Sequence, residues 1–211
     1  MICFLYVLLS SFIPSEKEFK FQNGDLIFQE ACSGDSDNTI KAVTTSIGNY
    51  QFTHVGIVYI DDKDSVYVLE ATRPAVTLTP IDEFLYPDNQ YECYPKSVVG
   101  RLKQGYIHLI PEALTIGLGL IGKEYDDGFI LGNDKYYCSE LVYDILMKAN
   151  SNNHVFPLNR MTFKSEDDGK FTEGWIQYFE KYKLPIPEGK LGINPGAMSR
   201  SDIIDMVYSF E

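Results

Sequence analysis

The sequence lacks clusters of basic residues, closely spaced cysteines and any apolar run long enough to cross a bilayer. Its 211 residues include 18 Lys and Arg against 30 Asp and Glu, which gives a formal net charge of −12. Nucleic acids and anionic membrane surfaces bind basic patches, so we expect neither as a partner. The four cysteines, Cys3, Cys32, Cys93 and Cys138, contain no C-x-x-C pair. This spacing argues against a zinc site, and we expect no bound metal.

Aromatic and apolar residues are plentiful enough for a packed core. The chain contains 15 Tyr and 13 Phe, and 45% of its residues are hydrophobic. This composition suits a globular domain or a groove for a peptide or sugar chain, and it does not suit disorder. A chain of this length can form one substantial core, so we expect a single domain at residues 19–211.

Residues 1–18 form an apolar leader, in which the run Ile2–Ile13 has the length of a secretory h-region. A helix needs about 20 apolar residues to span a bilayer, so we expect a signal peptide and no stable membrane span. An extracytoplasmic location in the periplasm or cell envelope follows, although no Lys or Arg precedes the run. The alternative is a buried first helix and a cytoplasmic protein. If the leader is removed, Cys32 and Cys93 could pair and leave Cys138 free.

Hydrophobic periodicity predicts a mixture of strands and helices. Runs of β-branched and aromatic residues predict extended segments at Leu26–Gln29, Phe52–Ile60, Ser65–Ala71, Ala75–Pro80 and Tyr106–Ile110. Helical patterns occur at Ile81–Leu85, Glu112–Ile121, Gly174–Tyr182 and the C-terminus, where Ile203, Met206, Val207 and Phe210 share one face. A Gly/Pro-rich strap, Pro185–Gly196, precedes that final helix, and both belong to a C-terminal part at about 155–211.

A further helix begins at Cys138. The apolar residues that follow fall at Leu141, Val142, Ile145 and Ala149, the spacing of a helix that packs one face on a core. Cys138 lies on this stripe in the first turn, where unpaired N–H groups and the positive end of the helix dipole favour a thiolate. A structural role is the alternative interpretation, because free cysteine often serves as a small apolar filler.

Two other residues can supply the remaining parts of an activated thiol. His54 lies at the start of the apolar strand Phe52–Ile60, and Glu70 lies on the returning strand of a hairpin that turns at Asp61–Asp64. An acid near a core is costly unless it is paired, and a histidine on the neighbouring strand is a ready partner. A solvated glutamate past the sheet edge is the alternative. Thiol, imidazole and carboxylate together form an activated cysteine nucleophile.

Five segments, in this order, resemble the circularly permuted papain-like amidases of the NlpC superfamily, the YiiX/YaeF-like group. They are Gly24–Ile27, Thr53–Val58, Val68–Ala71, Gly122–Asp126 and Tyr137–Val142, and the resemblance runs from about Asn23 to Asn150. It implies an α+β, permuted papain-like fold, in which a central antiparallel sheet or partial barrel packs against the helix that starts at the cysteine. It also implies Cys138 as nucleophile, His54 as general base and acid, and Glu70 as the residue that orients His54, with no metal or organic cofactor.

By this resemblance we expect a cysteine amidase or peptidase that cleaves a peptide or acyl-amide, including cell-wall peptides, through a Cys138 thioester. The backbone N–H of Cys138 is the expected first oxyanion donor, and Tyr137 is one candidate for the second. Related folds also support a lipid acyltransferase or thioesterase, and a non-catalytic binding module is a third interpretation. A wide apolar groove beside Cys138 would favour lipid chemistry, whereas a narrow polar cleft would argue against it.

Other candidate residues carry less weight. His108 has no acid placed beside it in the pattern, which makes it a weak alternative base, and His154 in an Asn-rich loop is expected to be solvated. Trp175, Tyr178 and Phe179 are expected to pack more than to stack on a substrate. The strap could line the cleft, as its Gly and Pro content and its length allow.

Overall fold

Residues 19–32, 39–41, 43–87, 93–165 and 167–210 are described in the computed structural model. The apolar leader, and with it the predicted signal peptide, lies outside these residues. None of the helices within them combines the length and the apolar character that crossing a bilayer requires.

A six-stranded antiparallel sheet forms the centre of the domain. In chain order its strands are β1 (Leu26–Glu30), β2 (His54–Ile60), β3 (Val66–Ala71), β4 (Val76–Pro80), β5 (Lys96–Leu102) and β8 (Ile204–Phe210). They lie side by side in the order β4-β3-β2-β1-β5-β8, and the sheet is open. A separate pair joins β6 (Asn159–Arg160) to β7 (Leu191–Gly192). The expected antiparallel sheet is confirmed, and it does not close into a barrel.

The helices lie mostly where the sequence pattern predicts them. In the described residues they are α1 (Ile81–Leu85), α2 (Ile110–Leu118), α3 (Cys138–Ala149), α4 (Glu173–Tyr182) and α5 (Pro195–Ser199). The side-chain hydroxyl of Thr172 caps α4 by accepting a hydrogen bond from the backbone N–H of Trp175. The predicted helices at Ile81, Cys138 and Gly174 are confirmed, and α2 begins slightly before its predicted start.

Both faces of the sheet are covered, because successive side chains on a strand point in opposite directions. One face packs on α3, and its cluster includes Phe28, Ile57, Leu69, Leu141 and Ile145. The opposite face packs on α1, and its cluster includes Ile27, Val58, Val68, Phe84 and Leu85. The strand β2 therefore lies in the middle of the domain, as its apolar sequence predicts.

The predicted C-terminal helix is wrong, because residues Ile204–Phe210 form the edge strand β8. Ile203, Met206, Val207 and Phe210 have helical spacing but do not share one face, because Met206 packs on the α3 side of the sheet, Phe210 packs on the opposite side and Val207 is exposed. Gly100 pairs with Met206 and Val99 pairs with Tyr208, so Val207 is the extra residue of a β-bulge. The bulge shifts the alternation of side chains by one residue, which turns Met206 and Phe210 to opposite faces.

Two further segments differ from the sequence-based expectation. Tyr106–Ile110, predicted as a strand, forms a 3₁₀ turn at Ile107–Leu109 that leads directly into α2. The strand β5 was not predicted, because Gly100 and Arg101 interrupt its apolar run. Arg101 is held there by a bidentate ion pair with Asp25, with distances of 2.7 and 2.8 Å from its Nε and Nη2 to the two carboxylate oxygens.

The pairing that the sequence allowed for Cys32 and Cys93 is present as a disulfide with a Cα–Cα distance of 5.9 Å. Cys138 is the free cysteine of the described residues. The bond joins the segment after β1 to the segment before β5, two strands that are neighbours in the sheet.

Gly56 lets β3 approach β2 closely. The pairing of Ile57 with Leu69, extended by one residue, places Gly56 opposite Glu70. A methyl group added at Gly56 would overlap Val68 Cγ1 and lie 3.2 Å from the Leu69 carbonyl oxygen and 3.3 Å from the Glu70 Cβ. The missing side chain therefore leaves the space that Glu70 uses.

We expect Gly56→Ala to lower the free energy of unfolding by about 1–3 kcal/mol, because the added methyl overpacks the contact between β2 and β3. Urea unfolding measures this change through its midpoint at constant slope. Gly105→Ala is the matched control, since a methyl group there meets nothing within 4 Å. Equal destabilisation by both substitutions would contradict the close-approach explanation.

Candidate active site

Cys138 is the first residue of α3, and its side chain is 7% exposed. The predicted stripe is confirmed, because Leu141, Val142 and Ile145 are fully buried. The backbone of Tyr137 is extended where the helix begins, and no side chain caps this end. The first amide groups of α3 therefore lack the side-chain acceptor that commonly satisfies a helix start. This places a thiol at the positive end of a helix dipole.

The strap holds the start of α3 in position. The Ser139 hydroxyl donates a 3.0 Å hydrogen bond to the Ile193 carbonyl oxygen, and the Ile193 amide donates a 3.3 Å bond to the Tyr137 hydroxyl. Ser139 is fully buried, and Tyr137 is only 2% exposed. The residues on both sides of Cys138 are thus fixed to the same point of the strap. Ile193 itself lines the cavity beside Cys138, which supports the expectation that the strap forms a cleft wall.

His54 and Glu70 form a direct contact at the ends of β2 and β3. The His54 Nε2 lies 2.5 Å from the Glu70 Oε2, and the Thr79 hydroxyl donates a 2.5 Å hydrogen bond to the Glu70 Oε1. Both carboxylate oxygens therefore have a partner, which offsets the cost of burying a residue that is only 6% exposed. The alternative of a solvated Glu70 is excluded. The sequence reasoning missed Thr79, whose position opposite β3 depends on the register of β4.

Cys138 and the His54 ring are neighbours, because the thiol contributes to the pKa of His54. Burial lowers the pKa of His54, but hydrogen bonds with Cys138 and Glu70 and the charges of both groups raise it to about 10. The ring is therefore protonated at neutral pH, which is the charge state of the imidazolium in a thiolate–imidazolium pair. The structure thus brings together all three residues that the sequence singled out.

The other two histidines lie elsewhere. His108 is exposed on the 3₁₀ turn before α2. The Nδ1 of His154 lies 2.5 Å from the Tyr143 hydroxyl, and the His154 side chain is exposed after α3. Neither lines the two cavities beside the Cys138–His54–Glu70 group.

Two adjoining cavities flank the cysteine and the histidine. The larger, of about 390 Å³, is lined by His54 and Glu70, and the smaller, of about 50 Å³, is lined by Cys138 and Ser139. The residues common to both walls are Ile40, Thr53, Tyr125, Phe129 and Trp175. A substrate that reaches the Cys138 thiol can therefore extend in two directions.

The aromatic residues of α4 both pack and line this cleft. Trp175 and Phe179 are buried in a cluster with Phe129, Tyr137 and Phe163, which confirms the expected packing role. Trp175 also forms part of the wall of both cavities, and Tyr178 forms part of the larger one. The aromatic cluster is therefore a rigid wall of the cleft.

Tyr125 is a polar neighbour of the thiol to which the sequence pattern assigned no role. It lies in the Gly122–Asp126 segment and lines both cavities. Burial first, and then the charge of Cys138, raise the pKa of Tyr125 well above its ordinary value. Its hydroxyl thus keeps its proton and can donate a hydrogen bond into the cleft. The Tyr137 hydroxyl accepts a hydrogen bond from the strap.

Two relatives support the fold. Protein YiiX of Escherichia coli (strain K12), which is described as uncharacterized, is 28% identical over 145 residues, covering 68% of this chain and 67% of that protein. The crystal structure of metalloprotein yiiX from Escherichia coli O157:H7 matches with a TM-score of 0.71 and 24% identity. That match covers 90% of this chain and 97% of the other, so the two share their fold over almost the whole domain.

The description of that relative as a metalloprotein raises the question of a metal here. Within the described part of this chain, no three His, Cys, Asp or Glu side chains are grouped in a way that could hold a metal ion. His54 and Glu70 are engaged with each other, with Cys138 and with Thr79. These residues do not fit a metal centre, and we derive no chemical step through one.

The family comparison covers nearly the whole domain. The profile described as permuted papain-like amidase enzyme, YaeF/YiiX, C92 family, matches residues 20–208. The order of the five segments, the open antiparallel sheet and the cysteine at the start of a packed helix agree with this match. The chain therefore belongs to the permuted papain-like amidases of the YaeF/YiiX, C92 family.

Proposed function

We propose that this protein is a cysteine amidase that hydrolyses an amide bond in a peptide or acyl-amide through a Cys138 thioester. The observation that carries the proposal is the His54–Glu70 contact, with Cys138 raising the pKa of the same imidazole, at the walls of two adjoining cavities. Membership of a family of papain-like amidases supports the same reaction class.

In the first half-reaction, the Cys138 Sγ attacks the carbonyl carbon of the scissile amide. A carbon–sulfur bond forms, and the negative charge moves to the carbonyl oxygen. The backbone N–H of Cys138 and the Tyr125 hydroxyl are the donors that we assign to this oxyanion, and losing one such donor typically costs about 10²–10³ in rate. His54 then gives its proton to the nitrogen of the leaving group as the carbon–nitrogen bond breaks.

In the second half-reaction, water attacks the thioester carbon while neutral His54 accepts one of the water protons. The carbon–sulfur bond breaks, and the carboxylic acid product leaves. The thiolate and the imidazolium are then restored together. Glu70 acts through His54, because its contact with Nε2 fixes the ring and leaves Nδ1 as the nitrogen that we assign to the sulfur.

The size of the cavity beside Cys138 supports an amidase over a lipid acyltransferase. A water molecule requires about 10–15 Å³ by this measure, so a cavity of about 50 Å³ accepts a group of only a few carbons. Its lining is largely apolar, with Val43, Met161 and Phe163 among its residues. A short apolar group fits this space. A binding module without turnover would not need an imidazole bonded to both a thiol and an acid.

We further infer that the protein acts outside the cytoplasm, because disulfides persist mainly in oxidising compartments. The Cys32–Cys93 bond supports this location independently of the apolar leader. Alkylation of cells before lysis, without reductant, should leave Cys32 and Cys93 unlabelled until the protein is reduced. Labelling of both cysteines in untreated cells would contradict the inference.

We expect Cys138→Ala to abolish hydrolysis in a screen of peptidoglycan fragments and acyl-amides.

At about pH 6, where an ordinary thiol with a pKa of about 8.5 reacts slowly, iodoacetamide should alkylate Cys138 readily. His54→Ala should slow this alkylation by at least about tenfold, because the imidazolium that stabilises the thiolate is lost. Mass spectrometry of the modified peptide measures the rate.

His108→Ala is the matched control for that measurement, since it removes an exposed histidine outside the site. It should leave the alkylation rate unchanged. The enzymatic proposal fails if His54→Ala and His108→Ala alkylate at the same rate as the wild type.

We expect Glu70→Gln to lower the pKa of His54 from about 10, because the substitution removes the carboxylate charge that faces Nε2. In the wild type, the stability that the protonated ring contributes is complete below about pH 6.5 and is lost as the pH rises through about 10. In the variant this loss should occur at lower pH. An NMR titration of the imidazole signals measures the shift, with His108 and His154 as internal references.

Glu83→Gln removes another carboxylate from the wall of the same cavity and is the matched control for Glu70→Gln. It should move the His54 midpoint much less, because the contacts that raise the pKa of His54 come from Glu70 and Cys138. A similar shift in both variants would show that the general charge of the cleft, and not the Glu70 contact, sets the pKa.

A further inference from the structure

Arg73 is a cation in the wall of the cavity that contains His54 and Glu70. It lies three residues after Glu70 and two residues after the end of β3 at Ala71. An extended chain rises about 3.3 Å per residue, so the two residues are separated by about 10 Å along the chain. At this distance Arg73 is not one of the residues that react, but it is close enough to contact a bound substrate.

The guanidinium of Arg73 is fixed before any ligand binds. Its Nε and Nη2 reach one oxygen of Asp127 at 2.8 and 2.7 Å, and Nη2 donates a 2.7 Å hydrogen bond to the Tyr178 hydroxyl. The guanidinium carbon lies 4.5 Å from the centre of the Tyr125 ring and 5.7 Å from that of Tyr178. A surface arginine with these restraints loses less conformational freedom on binding than an unrestrained one.

The arginine retains binding capacity on the side of the cavity. Its side chain is 45% exposed, and Nη1 makes no hydrogen bond to any residue of the described chain. Arg73 and Tyr178 line the cavity, whereas Asp127 does not. Asp127 thus engages the Nε and Nη2 edge of the guanidinium, and Nη1 is the donor that we assign to a ligand.

We propose that Arg73 binds a carboxylate of the substrate in the larger cavity. The proposal rests on the proposed hydrolysis at Cys138 and specifies its substrate class as an amide whose polar part carries a carboxylate. Arginine matches a carboxylate through its planar set of donors.

The charges around the two cavities also indicate where a substrate carboxylate would bind. Glu83 lines the same cavity and would repel a carboxylate there, as would Glu70 beside His54. The apolar cavity at Cys138 offers no cation among the residues that line it. An anionic substituent is therefore attracted to Arg73, while a short apolar substituent fits the smaller cavity.

The experiment uses the full chain and two matched series of alkylating probes. In one series, the nitrogen of iodoacetamide carries a carboxyalkyl chain of increasing length. In the other series, the carboxylate of each chain is replaced by an uncharged primary amide. Sulfur alkylation at Cys138 releases iodide in both series. We expect the best carboxylate probe to react at least about tenfold faster than its amide, since a charge-assisted hydrogen bond contributes about 1.5–3 kcal/mol.

Arg73→Gln should bring the rates of the carboxylate and amide probes to within about twofold of each other. Lys103→Gln is the matched control, because Lys103 is also an exposed cation with an acidic partner, Asp205, at 3.6 Å. This pair lies toward the opposite edge of the sheet from β3 and Arg73. It should preserve the preference. Equal rates for the two series in the wild type, together with rapid iodoacetamide labelling, would overturn the role of Arg73 and leave the proposed hydrolysis intact.

A second measurement does not depend on the reactivity of Cys138. Trp175 is the single tryptophan of the chain and lines both cavities, so its fluorescence reports on ligands in the cleft. In Cys138→Ala, N-acetylated carboxylates should change this fluorescence at concentrations at least about tenfold lower than their amides. The same titration with Arg73→Gln added should remove the difference. Identical titrations for acid and amide would overturn the proposal even if the thiol proved unreactive.

Discussion

The contact between His54 and Glu70 is the constraint on which the site depends. A buried carboxylate is costly without partners, and here the imidazole and the Thr79 hydroxyl together occupy both of its oxygens. This arrangement requires three strands in one register, with Gly56 providing the space between them. The sheet therefore does more than support the histidine, because its packing also determines the orientation and the charge of the ring.

The thiol is brought to the ring from a different layer of the domain. The strand β2 places His54 at its first residue, and α3 places Cys138 at its first residue, so the two beginnings meet at one end of the sheet. Buried apolar residues hold α3 against the sheet, and the strap bonds to Tyr137 and Ser139 on both sides of the cysteine. The position of the thiol is thus determined by packing on one side and by hydrogen bonds on the other.

The cleft that results has two unlike ends. A small, largely apolar cavity adjoins Cys138, and a larger cavity with carboxylates and an arginine adjoins His54. The aromatic cluster around Trp175 separates and supports both. These two ends are the basis of the proposed substrate, with a short apolar group on one side of the scissile bond and a charged group on the other. The order of His54, Glu70 and Cys138 along the chain is immaterial to this chemistry, since only their spatial arrangement acts on the substrate.

The sequence by itself determined the elements that have an uninterrupted local period. The apolar stripe after Cys138 specified α3, and the apolar run after Phe52 specified β2, because burial of a helix stripe or a strand face repeats at a fixed interval. The same reasoning failed for β8, whose apolar residues have a helical spacing but do not share one face, and for β5, whose apolar run is interrupted by Gly100 and Arg101. The sequence also indicated the three residue types of the candidate site and their order along the chain. Only the tertiary structure decided that Thr79, Tyr125 and Arg73 join it, because strand register and loop packing bring together residues whose proximity no local pattern encodes.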